Sequence, residues 1–219
     1  MLPKVLLIFD WDGTLSDSTS KIVTCLQEAA KTADFPVLAD DVICNIIGLG
    51  LPEAMERLYP DLNDDQKDQV RRHYVEHFLA ADQIPSPFFV GVEEGLATLR
   101  DSGFKMAVAT GKSRRGLDRV LDRLNMRSYF DASRCADETR SKPHPLMLEE
   151  LLLEMDVDAD KAVMVGDTEY DMEMAENARV HRIAVSYGAH HLDRLKPYRP
   201  VLCADHFSEC VEWALSHRK

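Results

Sequence analysis

The sequence predicts an α/β protein, a doubly wound parallel sheet with a small helical segment inserted after its first strand. Three observations predict it. Wholly apolar runs at residues 5–9 and 162–165 lack polar alternation and read as strands buried on both faces. From residue 92 onward such runs alternate with helical patterns, the signature of repeated βα units with right-handed crossovers. Between the first strand and the next convincing one, at 105–109, lie about 95 residues, where a crossover needs about a dozen.

That excess is helical throughout. From Ser18, the residues Ile22, Cys25, Leu26 and Ala29 share one helix face, and the pattern ends near Pro36. A short helix over 40–47, a loop with Gly48 and Gly50, and a helix from Pro52 to Leu58 follow. Asn63 or Asp64 starts a longer helix that turns Val70, Tyr74, Phe78 and Ala81 inward and stops before the PSP run at 85–87. The expected organisation is a core of residues 1–16 and 86–219 interrupted by a helical domain over 17–85.

Within the core, Val92, Leu96 and Leu99 mark a helix closed by Gly103, and KMAVAT is a strand running into Thr110, Gly111 and Lys112. Leu117, Val120, Leu121 and Leu124 mark the next helix, and 130–135 a weaker strand. Pro145 opens a helix carrying Leu148, Leu151, Leu152 and Met155. Strands are expected at 182–185 and 201–203, with a closing helix through Phe207, Cys210, Val211 and Ala214.

Composition narrows the functional classes. Of 219 residues, 45% are hydrophobic and 29% charged, as in ordinary globular proteins. A net charge of -12 disfavours a nucleic-acid partner, because phosphate backbones recruit basic surfaces. Cys25, Cys44, Cys135, Cys203 and Cys210 form no CxxC pair and read as reduced core residues of a cytoplasmic protein. Neither a signal peptide nor a membrane span is expected.

The chemistry sits where the first strand ends. In an open parallel sheet all strands point one way, and ligands bind outside their carboxyl ends. Asp10 and Asp12 follow the first strand, Thr110 the second and Asp167 the apolar strand at 162–165, while Lys142 in SKPHP precedes a helix. Paired carboxylates repel unless a cation joins them, and a hard divalent ion such as Mg2+ suits oxygen donors. Thr110, Lys142 and loop amides offer the donors and charge that phosphoryl oxygens need. Each residue also has a plainer reading: turn and cap aspartates, a turn hydroxyl, a solvated lysine.

FDWDGTLSDS at 9–18, Thr110, Lys142 and GDTEYD at 166–171, in that order, resemble the four motifs of the haloacid dehalogenase superfamily. The wider pattern, including PFFVGVEEGLATLRDSGFKMAVATGKS and VSYG, looks closest to its phosphoglycolate phosphatase-like branch. Trp11 is unusual within the first motif, and Arg179 stands where the family usually has glycine. The resemblance implies a Rossmann-like core with a small helical cap and a magnesium-dependent phosphatase acting on a small phosphorylated metabolite through an aspartyl-phosphate.

By resemblance, Asp10, Asp12, Thr110 and Lys142 are catalytic. The phosphoryl group rests on Asp10, Trp11, Asp12, Thr110, Gly111 and Lys142, and the metal on Asp10, Asp167 and the main-chain carbonyl of Asp12. Asp171 is either a ligand or a supporting residue. A β-phosphoglucomutase-like phosphomutase and a catalytically idle regulatory protein are the alternatives, and a monomer or homodimer without membrane partners is expected.

The loop at 48–51 and Arg57 are candidates for contacts to the leaving group, Arg57 otherwise being a solvated helix residue. GKS at 111–113 lacks the earlier glycine of a P-loop, since Met106 stands there. His73 and His77 are spaced like zinc ligands, but Tyr74 replaces the glutamate of HExxH, so surface histidines are expected. His144 is read as a substrate contact or a local capping residue.

Overall fold

The computed structural model describes residues 5–217. The core sheet contains β1 (Leu6–Phe9), β2 (Lys105–Thr110), β3 (Ala132–Cys135), β4 (Ala162–Gly166), β5 (His181–Val185) and β6 (Leu202–Ala204). All are parallel, in the order β3-β2-β1-β4-β5-β6. The chain winds outward from β1 to β3 and then crosses back to β4 on the other side of β1. The strand order therefore reverses between β1 and β4, where such sheets open a crevice for ligands.

Helices α1 (Thr19–Thr32), α2 (Asp40–Cys44), α3 (Leu51–Leu58) and α4 (Asp64–Ala81) fill the interval between β1 and β2. The rest are α5 (Val92–Asp101), α6 (Arg114–Arg123), α7 (Leu146–Met155), α8 (Glu169–Asn177), the single turn α9 (Leu192–Leu195), which the sequence reading lacked, and α10 (Phe207–Ser216).

Both faces of the sheet are covered, which explains the unbroken apolar strands. Along β1, Leu7 and Phe9 pack with Leu96 of α5, Leu117 of α6 and Phe207 of α10. Leu6 and Ile8 point the other way, against Leu148 and Leu151 of α7 and Met174 of α8. All four are at most 2% exposed, so this strand can occupy only the middle of a sandwiched sheet.

The inserted helices form a third apolar cluster, in which Ile22, Leu26 and Ala29 of α1 meet Met55 of α3 and Val70 of α4. α4 starts with a capping box, in which Asn63 Oδ1 accepts from Gln66 N and Gln66 Oε1 from Asn63 N, each at 3.0 Å. Its last turn departs from the expected pattern. Val70 is buried and Tyr74 and Phe78, half-buried, pack against the cluster while bordering a cavity, but Ala81 is exposed. α2 also ends at Cys44, short of Ile47.

The chain enters and leaves this segment side by side. Asp17 N donates to Pro87 O at 2.9 Å, and Phe89 N donates to Leu15 O at 3.0 Å. All five cysteines are free thiols, and Cys203 is exposed at the sheet edge rather than in the core. No helix among the described residues is long and apolar enough to cross a membrane.

Candidate active site

β1, β2 and β4 are neighbours and end level with one another. Phe9 is in register with Val108 of β2 and Val165 of β4, so Asp10, Thr110 and Asp167 leave the same edge. Asp10 N still donates to Val165 O at 3.0 Å, continuing the ladder past the last strand residue. Asp10, Thr110, Lys142, Asp167 and Asp171 are each at most 2% exposed. Burying so many ionisable groups is costly unless they are paired.

Lys142 supplies one pairing. Its Nζ lies 2.6 Å from Oδ1 of Asp10 and 2.6 Å from Oδ1 of Asp171. Asp171 also serves its own helix: Oδ2 accepts from Thr168 N at 3.1 Å and Asp171 N donates to Thr168 Oγ1 at 3.4 Å, the reciprocal cap that starts α8, and Oδ2 accepts from Thr168 Oγ1 as well, at 2.7 Å. Asp167 is held by Thr14 Oγ1 at 2.8 Å and Ala189 N at 2.7 Å.

Two carboxylates thus share one ammonium group, and a third stands beside them. Oxygens of Asp10, Asp167 and Asp171 all lie within 4.8 Å of one another. Burial, opposed by Lys142, raises the Asp10 carboxyl well above the usual carboxylate range, and Asp171 and Asp167 add to the rise. Burial and the charge of Asp171 push Asp167 up to about 7. Oδ2 of Asp10 is buried with no hydrogen-bond partner. Surplus negative charge, oxygen donors and an unsatisfied carboxylate oxygen together fit a hard divalent cation.

The carboxylate of Asp12 stands outside this cluster. Its Oδ1 accepts from Ser18 Oγ at 2.6 Å and its Oδ2 pairs with Lys112 Nζ at 2.9 Å. Ser18, at the N-cap of α1, gives its hydroxyl to Asp12 rather than to the helix. Lys112 also lies over the Phe78 ring of α4, 5.1 Å from its centroid, and its N–H donates to Thr110 Oγ1 at 3.2 Å.

A cavity of about 710 Å3 lies between the strand ends and the inserted helices, bordered by Asp10, Trp11, Asp12, Thr110 and Gly111 on one side. The Trp11 side chain is buried edge-on against Phe88 and Phe130, so its part in this wall is mainly backbone. The loop of Gly48 and Leu49 closes over Gly111, where a Cβ would stand 2.5 Å from Leu49 O and 2.7 Å from Gly48 O.

Residues 7–185 match the model of the haloacid dehalogenase-like hydrolases. The chain belongs to this family. The hydrolase is 36% identical over 212 residues to Probable phosphatase IndB of Dickeya dadantii, covering 95% of this chain and 92% of that one. It is 27% identical over 216 residues to a phosphoglycolate phosphatase of Colwellia psychrerythraea, covering 95% and 96%. A crystal structure described as a predicted phosphoglycolate phosphatase from Haemophilus somnus superposes with a TM-score of 0.88 at 21% identity, over 98% of this chain and 99% of that one. That likeness shows a common fold.

Other residues singled out in the sequence fall elsewhere in the hydrolase. Arg57 lies outside the main cavity and is not merely solvated: its Nη1 donates to Tyr170 OH at 2.8 Å and its guanidinium lies over that ring. Tyr170 OH donates in turn to Asn45 O at 2.7 Å, tying α8 to the inserted helices. His73 and His77 serve different neighbours, Glu76 at 3.1 Å and Thr32 Oγ1 at 2.9 Å. His144 caps locally, Nδ1 accepting from Leu146 N at 3.2 Å. Lys112 and Ala189 escaped the sequence reading because a lysine and an amide carry no role until the fold sets them beside Asp12 and Asp167.

Proposed function

We propose that this hydrolase is a phosphatase that cleaves small phosphate monoesters through an aspartyl-phosphate on Asp10. The observation that carries the reading is the Asp10 carboxylate itself. It sits at the cavity floor beside Lys142, its Oδ1 is paired, and its Oδ2 is left without a hydrogen bond. A carboxylate is a nucleophile without a separate base once the charge around it is balanced.

Asp10, Asp167 and the main-chain carbonyl of Asp12 would hold Mg2+, with Asp171 supporting them from the cap of α8. The ion supplies positive charge that offsets the repulsion between an anionic nucleophile and an anionic ester. Asp10 attacks phosphorus, the bond to the ester oxygen breaks, and Asp12 protonates the departing alkoxide. Water then attacks the aspartyl-phosphate while Asp12 takes its proton, and Asp10 is restored as phosphate leaves. Thr110, Lys142 and the amides of Trp11, Asp12 and Gly111 hold the phosphoryl oxygens.

Residues 17–85 are, in this reading, a cap domain over a core of 1–16 and 86–219. The cap walls the cavity and excludes water from the first step. The enzyme works in the cytoplasm as a monomer or homodimer. Support comes from the placement of α1, α3 and α4 on the cavity wall and from relatives named as phosphatases.

The test is phosphate release from p-nitrophenyl phosphate and 2-phosphoglycolate, with Mg2+ or excess EDTA, for wild type and Asp10→Asn. Release that requires both Mg2+ and Asp10 is expected. Activity surviving Asp10→Asn would overturn the assignment of the nucleophile, and a requirement for a bisphosphate activator would mark a phosphomutase instead.

A further inference from the structure

Three arginines with little to neutralise them border the cavity: Arg71 and Arg72 of α4 and Arg115 of α6. Arg72 and Arg115 are exposed, and among the described residues neither side chain has an ion-pair or hydrogen-bond partner. Arg71 pairs through Nη2 with Asp68 at 2.9 Å, an exposed contact within its own helix that contributes little. Its Nε is buried with no hydrogen-bond partner. A buried donor left unpaired is costly, and an incoming acceptor recovers that cost.

The carboxylates and rings around the same space are the committed groups. Asp12 pairs with Lys112 at 2.9 Å, Glu76 lies 3.1 Å from Nδ1 of His73, and Asp137 accepts from Arg114 N at 2.8 Å. Asp82 is shared by Lys21, Arg119 and Arg123 at 3.7, 3.1 and 3.6 Å, so one negative charge faces three positive ones. Glu53, exposed in the first turn of α3, is the exception. Tyr74 and Phe78 already pack against the apolar cluster of the inserted helices. The chain has 38 acidic residues to 26 lysines and arginines, so these arginines do not lack partners for want of carboxylates.

Resting on the phosphatase reading, we infer that the alcohol part of the substrate carries a second phosphate group, held between α4 and the start of α6 by Arg71, Arg72 and Arg115. The substrate class is thus the bisphosphate of a small diol or polyol. Asp10 takes one phosphoryl group, and the other stays on the alcohol that leaves. Guanidinium forks meet phosphate oxygens in pairs, and three of them suit a group with two charges and three free oxygens better than a singly charged carboxylate. An apolar tail would leave Nε of Arg71 without an acceptor. The cavity volume of about 710 Å3 has room for both phosphates and the carbon chain between them, falling within the roughly 300–1,000 Å3 of pockets for drug-sized ligands.

The experiment uses the full chain with Mg2+. It compares α,ω-alkanediol bisphosphates of about three to six carbons with the ω-hydroxyalkyl, ω-carboxyalkyl and alkyl monophosphates of matching length, a range that fits the cavity. The expected result is a kcat/KM for the best bisphosphate about ten- to a hundredfold above that for its hydroxyalkyl counterpart, the range that charged hydrogen bonds supply. The preference should lie mainly in KM and shrink as ionic strength rises. Arg72→Gln and Arg115→Gln, both at exposed positions, should each reduce the ratio severalfold, and the double variant should nearly abolish it. Equal rates for bisphosphate and hydroxyalkyl phosphate, a carboxyalkyl or alkyl phosphate preferred over the bisphosphate, or a ratio untouched by the double variant would overturn the inference.

Calorimetric binding of the matching alkane bisphosphonates against alkylphosphonates separates this from the parent reading. Neither kind needs to be hydrolysed. Absence of turnover on every ester would defeat the phosphatase reading alone. Equal affinities for the two kinds in wild type, or a preference that survives the double variant, would defeat the bisphosphate assignment whatever the turnover.

Discussion

A Cβ atom on Gly13, in the loop after β1, would stand 2.2 Å from Oδ2 of Asp167, which follows β4. Gly13 also has φ 87°, a region L side chains rarely adopt. This glycine is therefore what lets the loop after β1 close against Asp167 while Thr14 and Ala189 hold it. Gly13→Ala combines a conformational cost of about 1–2 kcal/mol with displacement of Asp167. The expected outcome is at least about a tenfold rise in the Mg2+ concentration needed for half-maximal phosphate release, measured by metal titration.

With the metal on Asp10 and Asp167 as proposed, metal and proton would compete for the same carboxylates. Asp10 and Asp167 have raised pKa values in the folded chain, Asp167 at about 7 against 3.8 for an ordinary aspartate. Between about pH 4 and pH 7 the metal-free native state therefore holds protons that the unfolded chain has released, and its stability falls as pH rises through that window. Mg2+ should raise the melting temperature little near pH 5 and clearly near pH 8, where at about a hundred times Kd it adds about 2.7 kcal/mol. Calorimetric melts with Mg2+ and with EDTA at the two pH values check this. An equal Mg2+ shift at both would contradict it.

Lys142 neutralises part of this cluster from a wholly buried position. Lys142→Met would leave Asp10 and Asp171 facing each other without a cation. Loss of one partner from a buried charged set costs about 3–5 kcal/mol, so the urea midpoint should drop sharply and phosphatase activity vanish. Adding Asp171→Asn removes one of the stranded charges, and the double variant should regain stability without regaining activity.

Tyr170 is the polar tie between α8 and the inserted helices. Tyr170→Phe deletes the bonds to Asn45 O and from Arg57 while keeping the ring against His190. A net loss of about 1–2 kcal/mol is expected. Amide hydrogen exchange should speed up at residues 45–50 while the central strands stay protected.

Arg179 occupies a left-handed backbone position, φ 58°, where α8 turns into β5, and its side chain is exposed. Arg179→Gly should relieve about 1 kcal/mol of strain and raise the melting temperature by a few degrees, with no change in activity. Scanning calorimetry alongside a p-nitrophenyl phosphate assay reads both.

Much of this molecule was determined by the sequence alone because its signals are local. Short unbroken apolar runs read as strands covered on both faces, and β1 and β4 are such strands. Asp10, Thr110 and Asp167 were legible as partners because every strand of a parallel sheet ends at the same edge. The helical interval between β1 and β2 followed from chain length and period. What the tertiary structure decided depends on distance through space, which no local pattern encodes. It placed Tyr74 and Phe78 of α4 between the helical cluster and the cavity, set Lys112 on Asp12, and made Arg57 a tie to Tyr170. It also brought three buried carboxylates together with one lysine between two of them, where their mutual repulsion rather than any single residue makes a place for a cation.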